Sequence, residues 1–189
     1  MSSRRRHSAP VYDAGRVAEL LGVRLSRKKL ANFGPPPKPL KGYLTFFDPG
    51  WGILRLRRAL AANGTGHIFE SQSWYNAKAF AKKTAPPRYR RLRMDVGKDS
   101  FNKSFAEQKA LLAKGEEVPL ARVVIMGMVI HFLATGERLF PAVWVRTLDT
   151  IGSGRRVDIG NFVGEGLAIN SDTEAERYPG VGFASARKS

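Results

Sequence analysis

The chain has no cysteine, which excludes disulfides, thiolate metal sites and cysteine nucleophiles together. Its three histidines, His7, His67 and His131, lie far apart, so a local imidazole metal site is not expected. Long apolar runs are missing as well. The longest, Val123–Ile130, is far short of a bilayer-crossing helix. Met1-Ser-Ser-Arg-Arg-Arg-His7 lacks the apolar stretch of a secretory signal. No segment repeats at a solenoid or propeller period. These absences lead to the expectation of a cytoplasmic protein with no membrane span, cofactor or metal.

Acidic residues are scarce in one half only. Residues 1–93 carry 20 Lys/Arg against 4 Asp/Glu, whereas residues 94–189 carry 12 of each, so the net charge of +16 belongs to the first half. Such a half attracts polyanions and says nothing about fold. The apolar share of 43% is that of a folded chain rather than a disordered one.

Residues 1–12 read as a mobile basic arm. Asp13 caps a helix ending at Gly22, and Leu25–Phe33 reads as a second short helix. Gly34-Pro-Pro-Pro-Lys-Pro39 then reads as an extended linker. Tyr43–Phe47 suits a strand, and Asp48-Pro49 opens an amphipathic basic helix closed by Asn63-Gly64. Thr65–Arg93 looks irregular. Ser104-Phe-Ala-Glu107 fits a capping box. A helix from Pro119 to Thr135 is apolar around nearly its whole circumference, so it should be buried on most sides. Short strands are expected at Ala142–Thr147, Arg156–Ile159, Leu167–Ile169 and Gly182–Ala186. The expected class is α+β. The expected organisation is a basic arm with short helix and Pro-rich linker over 1–42, a basic helical and irregular region over 43–93, and a body over 94–189.

Three stretches of the second half occur together in a family order: Glu117-Val-Pro-Leu-Ala-Arg122; Val143-Trp-Val-Arg-Thr147 followed by Arg156-Val-Asp-Ile-Gly-Asn-Phe162; and Arg177-Tyr-Pro-Gly-Val-Gly-Phe-Ala-Ser-Ala-Arg187. Together, residues from about 104 to 188 resemble the C-type-lectin-like domain of the formylglycine-generating-enzyme type, which also includes the variable proteins of diversity-generating retroelements. The resemblance implies a scaffold that presents a ligand-binding face near its C-terminus. Carried over residue by residue, that face would include Asn161, Asn170, Asp172, Glu174, Arg177 and Tyr178. The chain departs from the family where Phe183-Ala184 replaces Phe-Arg and where Leu120-Ala-Arg-Val lacks acidic residues. The family's enzymes use cysteines for copper chemistry, and this chain has none, so that activity is excluded. The Gly182-Phe-Ala-Ser-Ala-Arg-Lys188 tail is similar to that of uncharacterised bacterial proteins, which implies no activity.

Arg88-Tyr-Arg-Arg-Leu-Arg93 interleaves cations with a ring, a pattern suited to a nucleic-acid backbone with a base stacked on Tyr89. Its plainer reading is a charged edge strand. Arg55, Arg57, Arg58, Lys82, Lys83 and Arg4–Arg6 would join Arg88, Tyr89, Arg90, Arg91 and Arg93 in one nucleic-acid-binding patch. Arg16-Val-Ala-Glu-Leu-Leu-Gly-Val23 resembles the start of a helix-turn-helix, but Lys28 falls where that motif buries an aliphatic residue. A helix docked on the body is the preferred reading. Asp149, Asp158 and Asp172 are candidates to converge on a metal, although turn aspartates more often bond nearby backbone. His131 reads as a core histidine, and Trp51, Trp74 and Trp144 as packing residues. No nucleophile–base pair is visible. The expectation is a non-catalytic binding protein with a C-terminal ligand face and a basic half on an anionic partner. The alternative is a nucleic-acid-binding protein of weak sequence specificity.

Overall fold

The computed structural model describes residues 9–24 and 26–187. The mobile arm expected over residues 1–12 lies outside the described residues as far as Ser8, as do the Arg4–Arg6 cluster and Lys188. In chain order the elements are β1 (Val11–Tyr12), α1 (Ala14–Leu20), α2 (Arg27–Ala31), β2 (Tyr43–Asp48), α3 (Ile53–Ala62), α4 (Ala79–Lys82), β3 (Arg88–Arg93), α5 (Phe105–Ala110), β4 (Glu116–Glu117), α6 (Ala121–Thr135), β5 (Trp144–Gly152), β6 (Arg155–Val163), β7 (Gly166–Thr173), β8 (Val181–Gly182) and β9 (Ala186–Arg187). The class is α+β.

Helix α6 is the axis of the molecule. Every residue from Ala121 to His131 is buried, as an apolar circumference demands. On one side Gly127 faces the first sheet so closely that a Cβ there would lie 2.9 Å from Leu92 and 3.1 Å from Phe46. On other sides α6 meets β5 and β6, and α1, α3 and α4. Its N-terminus is capped from outside the helix, by Asp149 on β5, whose Oδ2 accepts from the Ala121 N–H at 2.8 Å. His131 is a core histidine, hydrogen-bonded through Nδ1 to Tyr12.

The first sheet has the order β1-β2-β3-β9-β4, and the second β7-β6-β5-β8. Both are mixed, with β1 parallel to β2 and β8 parallel to β5. Strand β3 is therefore central, not the edge strand expected from its charge, and Thr65–Arg93 is less irregular than it reads. Arg90 and Leu92 are buried within it. The cost of burying Arg90 is offset by Asp48 across the β2 pairing. Asp48 is fully buried, with Arg122 Nη1 at 2.8 Å, Arg90 Nε at 3.3 Å and the Gly50 N–H at 2.8 Å. Removing one member of such a cluster leaves an uncompensated buried charge.

The three expected segments do not pack separately. The first sheet takes β1 from the first, β2 and β3 from the second, and β4 and β9 from the third, and one buried cluster runs from Tyr12 to Ala184. Helix α1 docks with Val17 and Ala18 buried, and Asn63 at the end of α3 donates to Leu21 O at 2.7 Å. The proline stretch is a strap rather than a linker. Tyr89 donates to Gly34 O, and Arg91 to Lys38 O at 2.8 Å.

Candidate functional site

Strands β5, β6 and β7 form two successive hairpins, with Arg146, Asp158 and Asn170 in one row and Arg156 and Asp172 in the next. After β7 the chain turns through residues 174–180. That turn is fixed by backbone hydrogen bonds to three places: Glu174 N–H to Gly154 O at 2.8 Å, Phe105 N–H to Glu174 O at 2.8 Å, and Asn102 N–H to Tyr178 O at 3.1 Å. Side-chain pairs reinforce it. Arg156 donates to Glu174 at 2.8 Å and lies over the Phe105 ring, and Arg177 forks onto both oxygens of Glu107. Glu107 is itself the acid of the expected capping box with Ser104. Hydrogen bonds from Ser104 hold its carboxyl below the usual range, with Arg177 adding to the effect. A shallow depression lies among Ser104, Phe105, Arg156, Glu174 and Arg177.

Five of the six expected ligand-face residues thus gather at one end of the second sheet: Asn170, Asp172, Glu174, Arg177 and Tyr178. Asn161 does not. It sits at the other end of β6, five residues beyond the Arg156 that pairs with Asp172, or about 16 Å along a strand. There it takes a positive φ of 45° at an irregularity in the ladder, with its N–H bonded to Val143 O. Glu174 and Arg177 are partly committed to protein partners, and Tyr178 bonds to Glu176.

Beneath this face lie two buried ionisable groups that the sequence did not reveal as neighbours. Arg146 and Asp158 are both fully buried, with Nε 3.6 Å from Oδ1. Burial pushes the Asp158 carboxyl up to about 8; Arg146 opposes this and neighbouring Asp172 adds to it. Burial also raises Asp149, against the Ala121 N–H and Lys83. Asp149 serves α6 while Asp158 faces Arg146, so the three candidate metal aspartates do not converge. Among the described residues no His/Asp/Glu trio gathers at metal-binding distance.

The expected nucleic-acid patch splits. Arg90 is buried against Asp48, and burial lowers its pKa while Asp48 works the other way. Tyr89 packs edge-on to Phe47 and holds the proline strap, so its ring is not a free stacking platform. Arg91 holds the same strap, and Arg93 pairs with Asp95 at 2.8 Å. Arg57 lies against Phe69 and Tyr75 and donates to Gln72 O. Exposed cations remain at Arg55, Arg58, Lys82, Lys83 and Arg88. They flank one turn: Gly52, which caps α3, abuts Lys82 O, Gly50 abuts Ala85 O, and Arg88 pairs with Asp48 across the sheet. Lys83 pairs with Asp149 at 3.8 Å, and Glu70 is the single acidic residue between Pro49 and Met94, so the rest of the ridge keeps its charge.

No protein-family model, curated protein or solved structure matches the chain. Among the described residues no helix is long and apolar enough to cross a membrane.

Proposed function

We propose that this is a non-catalytic binding protein with a C-type-lectin-like body, a ligand face around residues 170–178, and a cationic ridge that contacts an anionic partner. One observation carries the reading. The 174–180 turn is pinned through its backbone by Gly154, Phe105 and Asn102 while Asn170, Glu176 and Arg177 stay at the surface. A surface fixed before its ligand arrives loses little ordering entropy on binding. The body is supported by two helices leading into the antiparallel β5–β6–β7 strands, which are longer than the short strands expected, with β8 parallel to β5 and β9 returning to the first sheet.

The ligand face is tested by panning a random-peptide display library and probing a glycan array with the full chain. Specific binders should be lost on Asp172→Ala/Tyr178→Ala in a protein of unchanged circular dichroism. Binders indifferent to that pair, or none at all, remove the face. The alternative, a nucleic-acid-binding protein of weak sequence specificity, is favoured by the ridge, where among the described residues Arg55, Arg58, Lys82 and Arg88 have no carboxylate partner while Lys83 pairs with Asp149. It is tested with short duplex DNA and polyuridine at several salt concentrations. Reversing Arg58, Lys82 and Arg88 to Glu should weaken binding and flatten the log–log salt dependence by about 2 to 3. An unchanged slope rules the ridge out.

A further inference from the structure

A cleft of about 380 Å³ opens between α1 and the β2–α3 turn, away from the ligand face. Its size is at the lower end of small-molecule sites, and such sites combine apolar walls with a few polar groups. Val17 and Leu21 of α1 form one wall; Phe47 and Trp51 form another, with Phe33 completing the enclosure. The polar side chains lining it are Asn32 and Arg55, both exposed at the mouth, and no acidic residue lines it.

Arg55 decides the ligand's charge. Its guanidinium sits 4.4 Å from the centroid of the Trp51 ring, and among the described residues it has no carboxylate partner. Stacking spends one face of the planar cation and leaves its N–H edge free for a bidentate acceptor. Asn32 adds an amide at the same mouth. Apolar walls with one unpaired cation at the rim match a molecule with a hydrocarbon body and a single anionic head.

We propose that this cleft binds a small apolar monocarboxylate, its body against Val17, Phe33, Phe47 and Trp51 and its carboxylate on Arg55. The site is independent of the proposed ligand face and needs only one cation of the ridge.

Decanoate and decan-1-ol, titrated below micelle formation into the full chain by calorimetry, test it. Decanoate should bind at least tenfold more tightly than the alcohol, Arg55→Gln should erase that difference, and Ala18→Phe should fill the cleft and abolish binding of both. Amide and Trp51 indole shifts in the unsubstituted protein give a second readout that survives a poorly folded variant. They should move for residues 14–23 and 47–55 and stay still for 170–178. No saturable binding, equal binding of acid and alcohol, shifts elsewhere, or decanoate binding that survives in well-folded Ala18→Phe overturns the proposal. So does equally strong binding to phosphatidylglycerol vesicles with no response to Ala18→Phe, which would mark a charged membrane-facing surface instead.

Discussion

Burial in the fold shifts the ionisation of Asp158 well above the ordinary carboxylate range. Its carboxyl sits at about 8 in the folded chain, against roughly 3.9 for an unfolded aspartate. Below about pH 4 both states hold the proton, and the group adds no pH dependence. Between about 4 and 8 the folded state keeps a proton that the unfolded state has lost, so stability falls as pH rises; above 8 the effect levels off. Asp149, also raised by burial, acts in the same direction. Urea midpoints at pH 5, 6.5 and 8 should therefore fall, and the fall should be shallower in Asp158→Asn. Parallel profiles would show that Asp158 ionises normally. Sequence carried little of this: Asp158 and Arg146 are twelve positions apart, and the row that joins them exists only once β5 and β6 pair.

At the scale of elements, long local patterns were legible. The capping box, the all-round apolar helix and the Asn63-Gly64 stop all appear where residue chemistry places them. The Arg88–Arg93 strand was misread because Arg90 is buried against Asp48, forty-two positions away, while Arg91 holds Lys38 O and Arg93 pairs with Asp95. The proline strap was misread because only Tyr89 and Arg91 turn it from linker to cover. The β5–β6 pair shows a close approach that no pattern announces. A Cβ on Gly160 would lie 2.1 Å from Val143 O, and backbone cannot swing aside as a side-chain tip can. Gly160→Ala should cost roughly 1–3 kcal/mol and lower the thermal midpoint. Gly164→Ala, where a Cβ meets nothing within 4 Å, should leave it nearly unchanged. Equal effects at both positions would refute the close approach.

For the whole molecule, the asymmetry of charge in sequence does not mark a separable domain. The first half supplies α1, α3 and β1, β2 and β3, the last of them paired with β9, so the cationic residues ride on the same core as the balanced half. A chain starting at Lys41 would lack Tyr12, Val17 and Leu21, all buried, each contributing about 1.5–3 kcal/mol. Its urea transition should be broad or absent, and a sharp transition of undiminished midpoint would show a self-sufficient C-terminal body. Candidate surface residues were easier to find than their surroundings. Most of the 170–178 group does gather, but the partners of Glu174 and Arg177 come from α5 and β6, beyond the reach of local spacing.

Strand β7 is the outermost of its sheet, yet its rim is already occupied. Phe69 bridges to Leu167, Gln72 Oε1 accepts from the Ile169 N–H at 3.0 Å, and the Trp74 indole donates to Ile169 O at 3.1 Å. An uncovered rim would recruit any extended peptide, including another copy of this chain. With residues 69–74 of its own chain laid along Leu167 and Ile169, the protein closes that part of its sheet to a further strand.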